Sequence, residues 1–160
     1  MKLKSIVTED FVNYKLPSIF LITSTCNWKC CKEKGYDLSI CQNFLLTFEK
    51  TLDISPEMVY NMYVNNPITE AIVFGGLEPF EQFSEMLEII DYIRKKDDNS
   101  PIIIYTGYYP NEIPNHINSL KNYNNIIVKF GRFILDSPHR FDEILGVELA
   151  SSNQYAEQIS

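Results

Sequence analysis

A single α/β domain with a mostly parallel sheet is the fold this sequence predicts, and three observations predict it. Four short runs, Ser18–Thr23, Glu70–Phe74, Ile102–Tyr105 and Ile126–Phe130, are rich in β-branched and aromatic residues. They are apolar throughout rather than alternating, the pattern of strands buried on both faces of a parallel sheet. Segments with helical spacing lie between them, and the last three runs recur at the interval of βα units. The 160 residues, 45% hydrophobic and 22% charged, suffice for one core and contain no interdomain linker, so residues 1–160 are expected to form one domain.

The helices carry their own signals. Ser55-Pro56-Glu57 supplies an N-cap oxygen, a proline at the first helical position and an acid in the first turn, with Val59, Met62 and Tyr63 following at helical spacing. From Glu81 to Lys96, one face gathers Phe83, Met86, Leu87, Ile90 and Ile93. Arg94, Lys95 and Lys96 suit a helix C-terminus, and the polar stretch Asp97–Pro101 predicts a turn. A weaker pattern runs from Pro114 to about Lys121.

Charge and composition exclude several functions. With 21 acidic against 14 basic residues, a net charge of −7, the chain has little to neutralise phosphates, so no nucleic-acid partner is expected. No apolar run is long enough for a membrane span, so no membrane partner is expected. The first ten residues turn acidic before any apolar stretch develops, which argues against a signal peptide and for a cytoplasmic, reducing location. Disulfides are then a poor use for the four cysteines, all of which fall between Cys26 and Cys41. His116 and His139 stand alone in polar, proline-flanked stretches and are expected on the surface.

Chemistry concentrates in two loops that follow strands, where parallel folds place their sites. The first reads Thr25-Cys26-Asn27-Trp28-Lys29-Cys30-Cys31, then a polar excursion, then Ile40-Cys41-Gln42-Asn43. Three or four soft thiolates on one loop suit an iron–sulfur cluster, zinc or copper(I). Zinc is the main alternative, although there is no C-x2-C knuckle and adjacent Cys30 and Cys31 fit one small tetrahedral ion poorly. Buried, unliganded thiols are the plainest reading. The second loop reads Phe74-Gly75-Gly76-Leu77-Glu78-Pro79, where paired glycines let backbone amides approach a ligand or simply make a tight turn.

Cys26-x3-Cys30 followed by Ile40-Cys41-Gln42-Asn43 resembles the CxxxCxxC motif of the radical-SAM superfamily, with ten residues in place of two before the last cysteine. Closing the longer loop costs only ~1.4 kcal/mol, against thiolate–metal binding on the order of 10 kcal/mol. Gly75-Gly76-Leu77-Glu78-Pro79 resembles the GGEP motif of the same superfamily, with Leu77 as an extra residue. Asp10–Asn13, Tyr105-Thr106-Gly107-Tyr108, Gly131-Arg132-Phe133 and Ser151–Gln154 are similar, in the same order, to segments of the activating component of anaerobic ribonucleoside-triphosphate reductase. An Asp that often precedes the Gly-Arg-Phe element there is replaced by Lys129-Phe130.

That resemblance implies a partial (βα) barrel of mostly parallel strands, the compact radical-SAM type. It implies a 4Fe-4S cluster held by Cys26, Cys30 and Cys41, with Cys31 as a bystander or as the substitute for Cys30. It further implies S-adenosyl-L-methionine as cofactor, with Gly75, Gly76 and Glu78 holding its amino group and Ile40 against the adenine. Thr106 and Gly107 are candidates for the adenosine site, with an ordinary βα turn as the alternative, and Tyr105 and Tyr108 are expected to pack at the strand end. The implied partners are a large glycyl-radical enzyme subunit as protein substrate and an electron donor such as a flavodoxin or ferredoxin. A radical-SAM enzyme with another target and a metal-stabilised module without catalysis are the competing readings.

Overall fold

The computed structural model describes residues 1–96 and 99–160. Asp97 and Asp98, which open the expected polar turn, lie outside the described residues.

Each of the four apolar runs is a strand. In chain order the described elements are β1 (Lys2–Asp10), β2 (Ser18–Thr23), α1 (Lys29–Lys34), β3 (Leu52–Asp53), α2 (Pro56–Val64), β4 (Ala71–Gly76), α3 (Phe83–Arg94), β5 (Ile102–Tyr105), α4 (Pro114–Leu120), β6 (Ile126–Phe130), β7 (Arg140–Asp142), β8 (Val147–Leu149) and β9 (Tyr155–Gln158). Seven strands form one sheet in the order β3-β1-β2-β4-β5-β6-β9, and β7 and β8 make a separate hairpin. The middle of the sheet, β2-β4-β5-β6, is parallel. Both margins are antiparallel, β3 and β1 on one side and β9 on the other.

Alternate side chains of these strands enter two different cores, as the pleat dictates. Ile72 and Phe74 point with Ile102, Ile104, Ile126 and Val128 toward α2, α3 and α4, where Val59, Met86, Ile89, Ile90, Ile93 and Leu120 complete a fully buried layer. Ala71, Val73, Ile103 and Ile127 face the other way, against Tyr14 and against Leu145 and Leu149 of the β7–β8 hairpin region. Helices therefore cover one face and a hairpin the other, which is why the central strands are apolar without alternation. Residues buried this fully contribute roughly 1.5–3 kcal/mol each.

The helix starts follow the sequence signals. Ser55 caps α2, its Oγ accepting from the Met58 N–H at 3.2 Å with Pro56 at the first position. The segment expected to be helical from Glu81 begins instead as a 3-10 turn, Pro79–Gln82, before α3. No helix among the described residues is long and apolar enough to cross a membrane.

What matters for function is direction. The C-terminal ends of β2, β4, β5 and β6 lie along the same sheet edge, with Thr23 paired to Gly76 and Tyr105 to Lys129. The loops leaving those ends are the cysteine loop, the Gly-Gly loop, the Thr106-Gly107 turn and the Gly131-Arg132-Phe133 segment, so the topology delivers four separate motifs to one place.

Candidate metal centre

The cysteine loop leaves β2 and is fastened at once. Ser24 donates from both its N–H (2.7 Å) and its hydroxyl (3.2 Å) to Gln82 Oε1, while Glu78 N–H donates to Thr25 O at 2.8 Å. Asn27 Nδ2 donates to Glu81 Oε1 and to the Tyr108 hydroxyl, tying the loop to those beyond β4 and β5. Trp28 then adopts φ +62°, a left-handed conformation that a bulky residue rarely takes, and α1 starts immediately after it. The turn places the Trp28 N–H 3.3 Å from Cys26 Sγ, to which it donates. Strain of this kind persists where surrounding contacts over-determine it. The Trp28 ring meets Phe44 edge-on, linking the start of the loop to the turn after Cys41.

The polar excursion between Cys30 and Cys41 is not shapeless. It holds α1, a reversal at Gly35 (φ +66°) and a 3-10 turn, Leu38–Ile40, capped by Asp37. It thereby returns Cys41 to the neighbourhood of the first cysteines, and the Asn43 amide donates to Gly76 O as a fastening.

All four cysteines line one cavity of about 430 Å³ at the sheet edge, together with Gly76, Leu77, Glu78, Thr106, Gly107 and Lys129. Burial is the main reason that the Cys26 thiol is pushed up to about 12, and it raises Cys30 and Cys31 as well. Thiols kept protonated in this way release protons when metal binds.

Of the other residues singled out in the sequence, Gly76, Glu78, Thr106 and Gly107 join the cysteines at the cavity wall. Gly75 lies behind it, buried in β4 beside Ile22 and accepting at its carbonyl from Thr23 Oγ1 (2.9 Å). Ile40 sits half-buried at the end of the Leu38–Ile40 turn and is not among the lining residues. Glu78 is 7% exposed and braces two loops: Oε1 accepts from Phe80 N–H and from Thr106 Oγ1, and Oε2 accepts from Gly107 N–H at 2.9 Å. Burial outweighs these donors and lifts its carboxyl to about 7.

Gly107 shows how closely the two loops approach. A Cβ built there would lie 2.6 Å from Cys30 Sγ. Gly107→Ala is expected to displace the Cys30 thiol and lower cluster occupancy about 10–100-fold, the range for lesions beside a metal ligand. Bound iron and sulfide per chain after reconstitution check this.

Two residues were misjudged or passed over in the sequence. His116 is not a surface residue: it is half-buried, its ring 4.3 Å from that of Phe83 and 5.7 Å from that of Phe80. Its place on α4, facing the start of α3, explains the correction. Lys129 lies in an otherwise apolar strand and is 6% exposed at the cavity wall. A charge in the middle of a buried run was the signal available for it. His139 is exposed, as expected. Tyr105 anchors through its hydroxyl to Asn13 O (2.6 Å), and the Ser151–Gln154 tail hydrogen-bonds its own chain, Asn153 to Arg132 O and Gln154 to Gly131 O.

Among the described residues no three His, Cys, Asp or Glu side chains are gathered tightly enough to hold a single ion. Four thiolates at about 2.3 Å from one zinc ion would bring their sulfurs within about 4 Å of each other. Soft sulfur donors around one cavity suit iron–sulfur chemistry. A family model for the 4Fe-4S single cluster domain matches residues 18–155, nearly the whole chain. The chain belongs to the 4Fe-4S single cluster domain family. No curated protein and no solved structure matches it. As a 4Fe-4S domain, it places its cysteines on the loop after β2, inside the matched region, and the residues at the cavity fit that cluster.

Proposed function

We propose that this 4Fe-4S domain is a radical-SAM activase that generates a glycyl radical on a large partner enzyme, of the anaerobic ribonucleotide reductase type. Supporting the reading is one convergence: motifs resembling the cluster loop and the S-adenosylmethionine-binding loop of that superfamily, far apart in sequence, line the same cavity. A bound cluster, reduced by a flavodoxin or ferredoxin, would supply the one-electron chemistry by which S-adenosylmethionine is cleaved and a hydrogen atom is removed from a glycine Cα of the partner.

The chain's own residues hold and exclude. Cys26, Cys30 and Cys41 would carry three of the irons, leaving the fourth for the cofactor. Glu78 is oriented by three donors and retains one lone-pair direction of its carboxylate for an ammonium group. Gly107 leaves room beside it, a Cβ there lying 3.6 Å from Glu78 Oε2.

A second reading rests on Cys31, which lines the same cavity: four thiolates would close the cluster and leave a module without catalysis. Anaerobic reconstitution with iron and sulfide, chemical reduction and assay for 5′-deoxyadenosine separate the two. The activase is expected to release 5′-deoxyadenosine. A fully assembled cluster with none released would sink the activase reading and leave the closed cluster standing.

A further inference from the structure

Lys129 is a cation with an unusual address. It is 6% exposed, sits near the C-terminal end of β6, and lines the cavity that holds the cysteines. Among the described residues its Nζ donates one hydrogen bond, to Gly131 O at 3.1 Å, its ammonium lies 5.8 Å from the centre of the Tyr105 ring, and it forms no ion pair. Buried charges of this kind are normally paired, because desolvation disfavours them strongly. Glu78 and Cys30 line the same cavity. The Tyr105 ring faces it, with its hydroxyl already donated to Asn13 O.

A 4Fe-4S cluster with its thiolates is anionic and becomes more so on reduction. We infer that Lys129 is the built-in counter-charge of the cluster, stabilising the reduced form and thereby setting the strength of reductant the site requires. Net charge beside a cluster is one of the main determinants of its potential. Lys129 touches no reacting atom in this account and acts through the electrostatics of the cavity. The inference rests on the cluster but not on S-adenosylmethionine chemistry, so it survives if the activase reading fails.

The test is a redox titration of the reconstituted protein, followed by the electron-spin signal of the reduced cluster. Lys129→Met is expected to favour the oxidised cluster about tenfold, a midpoint lower by ~59 mV for one electron. Lys129→Arg, which keeps the charge, is expected to stay near the wild-type value. An unchanged midpoint in Lys129→Met overturns the inference, and so does an equal shift in both variants. If Lys129→Met holds no cluster while Lys129→Arg does, the charge is needed to retain the anion, which supports it; loss in both assigns Lys129 to packing and overturns it. Release of 5′-deoxyadenosine by wild type, measured separately, reports on the activase reading alone.

Discussion

Alanine in place of Cys26, Cys30 or Cys41 is expected to strip the protein of its cluster, whereas Cys31→Ala is expected to keep it. All four cysteines line the one cavity, and Cys26, Cys30 and Cys41 are the three that match the resembling motif. A missing ligand should cost more than the roughly 10–100-fold that loss of an outer-shell partner costs. Iron and sulfide per chain, visible absorption and the electron-spin signal after reduction give the measurement, and 5′-deoxyadenosine release should vanish in parallel. Retention of the cluster in Cys30→Ala together with its loss in Cys31→Ala would exchange the roles of these neighbours.

Arg132→Ala is expected to destabilise the fold by roughly 2–4 kcal/mol, below the ~3–5 kcal/mol of a fully buried pair because one partner is well solvated. The guanidinium, with a side chain 5% exposed, donates to Gly107 O (2.9 Å), to both oxygens of Glu112 (2.6 and 2.7 Å) and to Glu33 Oε1 (2.9 Å). Its Nε lies 2.5 Å from Glu33 Oε2 without hydrogen-bond alignment. Lys29 joins the same Glu112 at 2.5 Å. Because Lys29 and Glu33 are on α1, this network ties the helix carrying Cys30 and Cys31 to the Gly107 turn. Lysine cannot reproduce the fork, so Arg132→Lys should recover only part of the loss. The Arg132 hydrogen bonds, aided by Lys29 and the Tyr109 N–H, hold the Glu112 carboxyl down to about 2 from the ordinary 4.5. A depressed carboxylate stabilises the fold above its unfolded value and loses that contribution as pH falls through its folded one. Wild-type stability should therefore decline between about pH 4.5 and about 2, and Arg132→Ala should flatten that decline. Denaturant unfolding of the metal-free protein across this range checks both.

The central sheet was legible because Ser18–Thr23, Ile102–Tyr105 and Ile126–Phe130 are short, continuous and β-branched, a pattern that burial on two faces enforces. The margins were not. In β1 only Leu3 and Asp10 are buried, so its charges hid it except through the family resemblance. The strands β7, β8 and β9 are three or four residues each, too short to show a pattern; tertiary pairing, not local preference, makes them strands. The helix α1, with the sequence KCCKEK, lacks any apolar stripe and is fixed by its ion pairs. At the site, cysteine clustering and the two glycines were readable from spacing. The bracing role of Glu78, by contrast, depends on Thr106 and Gly107, almost thirty residues away, and so on the parallel register of β4 and β5.

The excursion that carries Cys41 is held less firmly than the opposite side of the cavity. Cys26 and Cys30 are backed by segments sewn to Gln82, Glu81 and Arg132, whereas Cys41 is followed by exposed Gln42 and Asn43 and by Leu45 and Phe48, each more than 70% exposed. Openings of a native protein begin where fewest contacts oppose them. The Cys41 side is thus expected to be the door of the chamber, and a chelator added to the reconstituted protein should gain entry there before the rest of the sheet edge loosens.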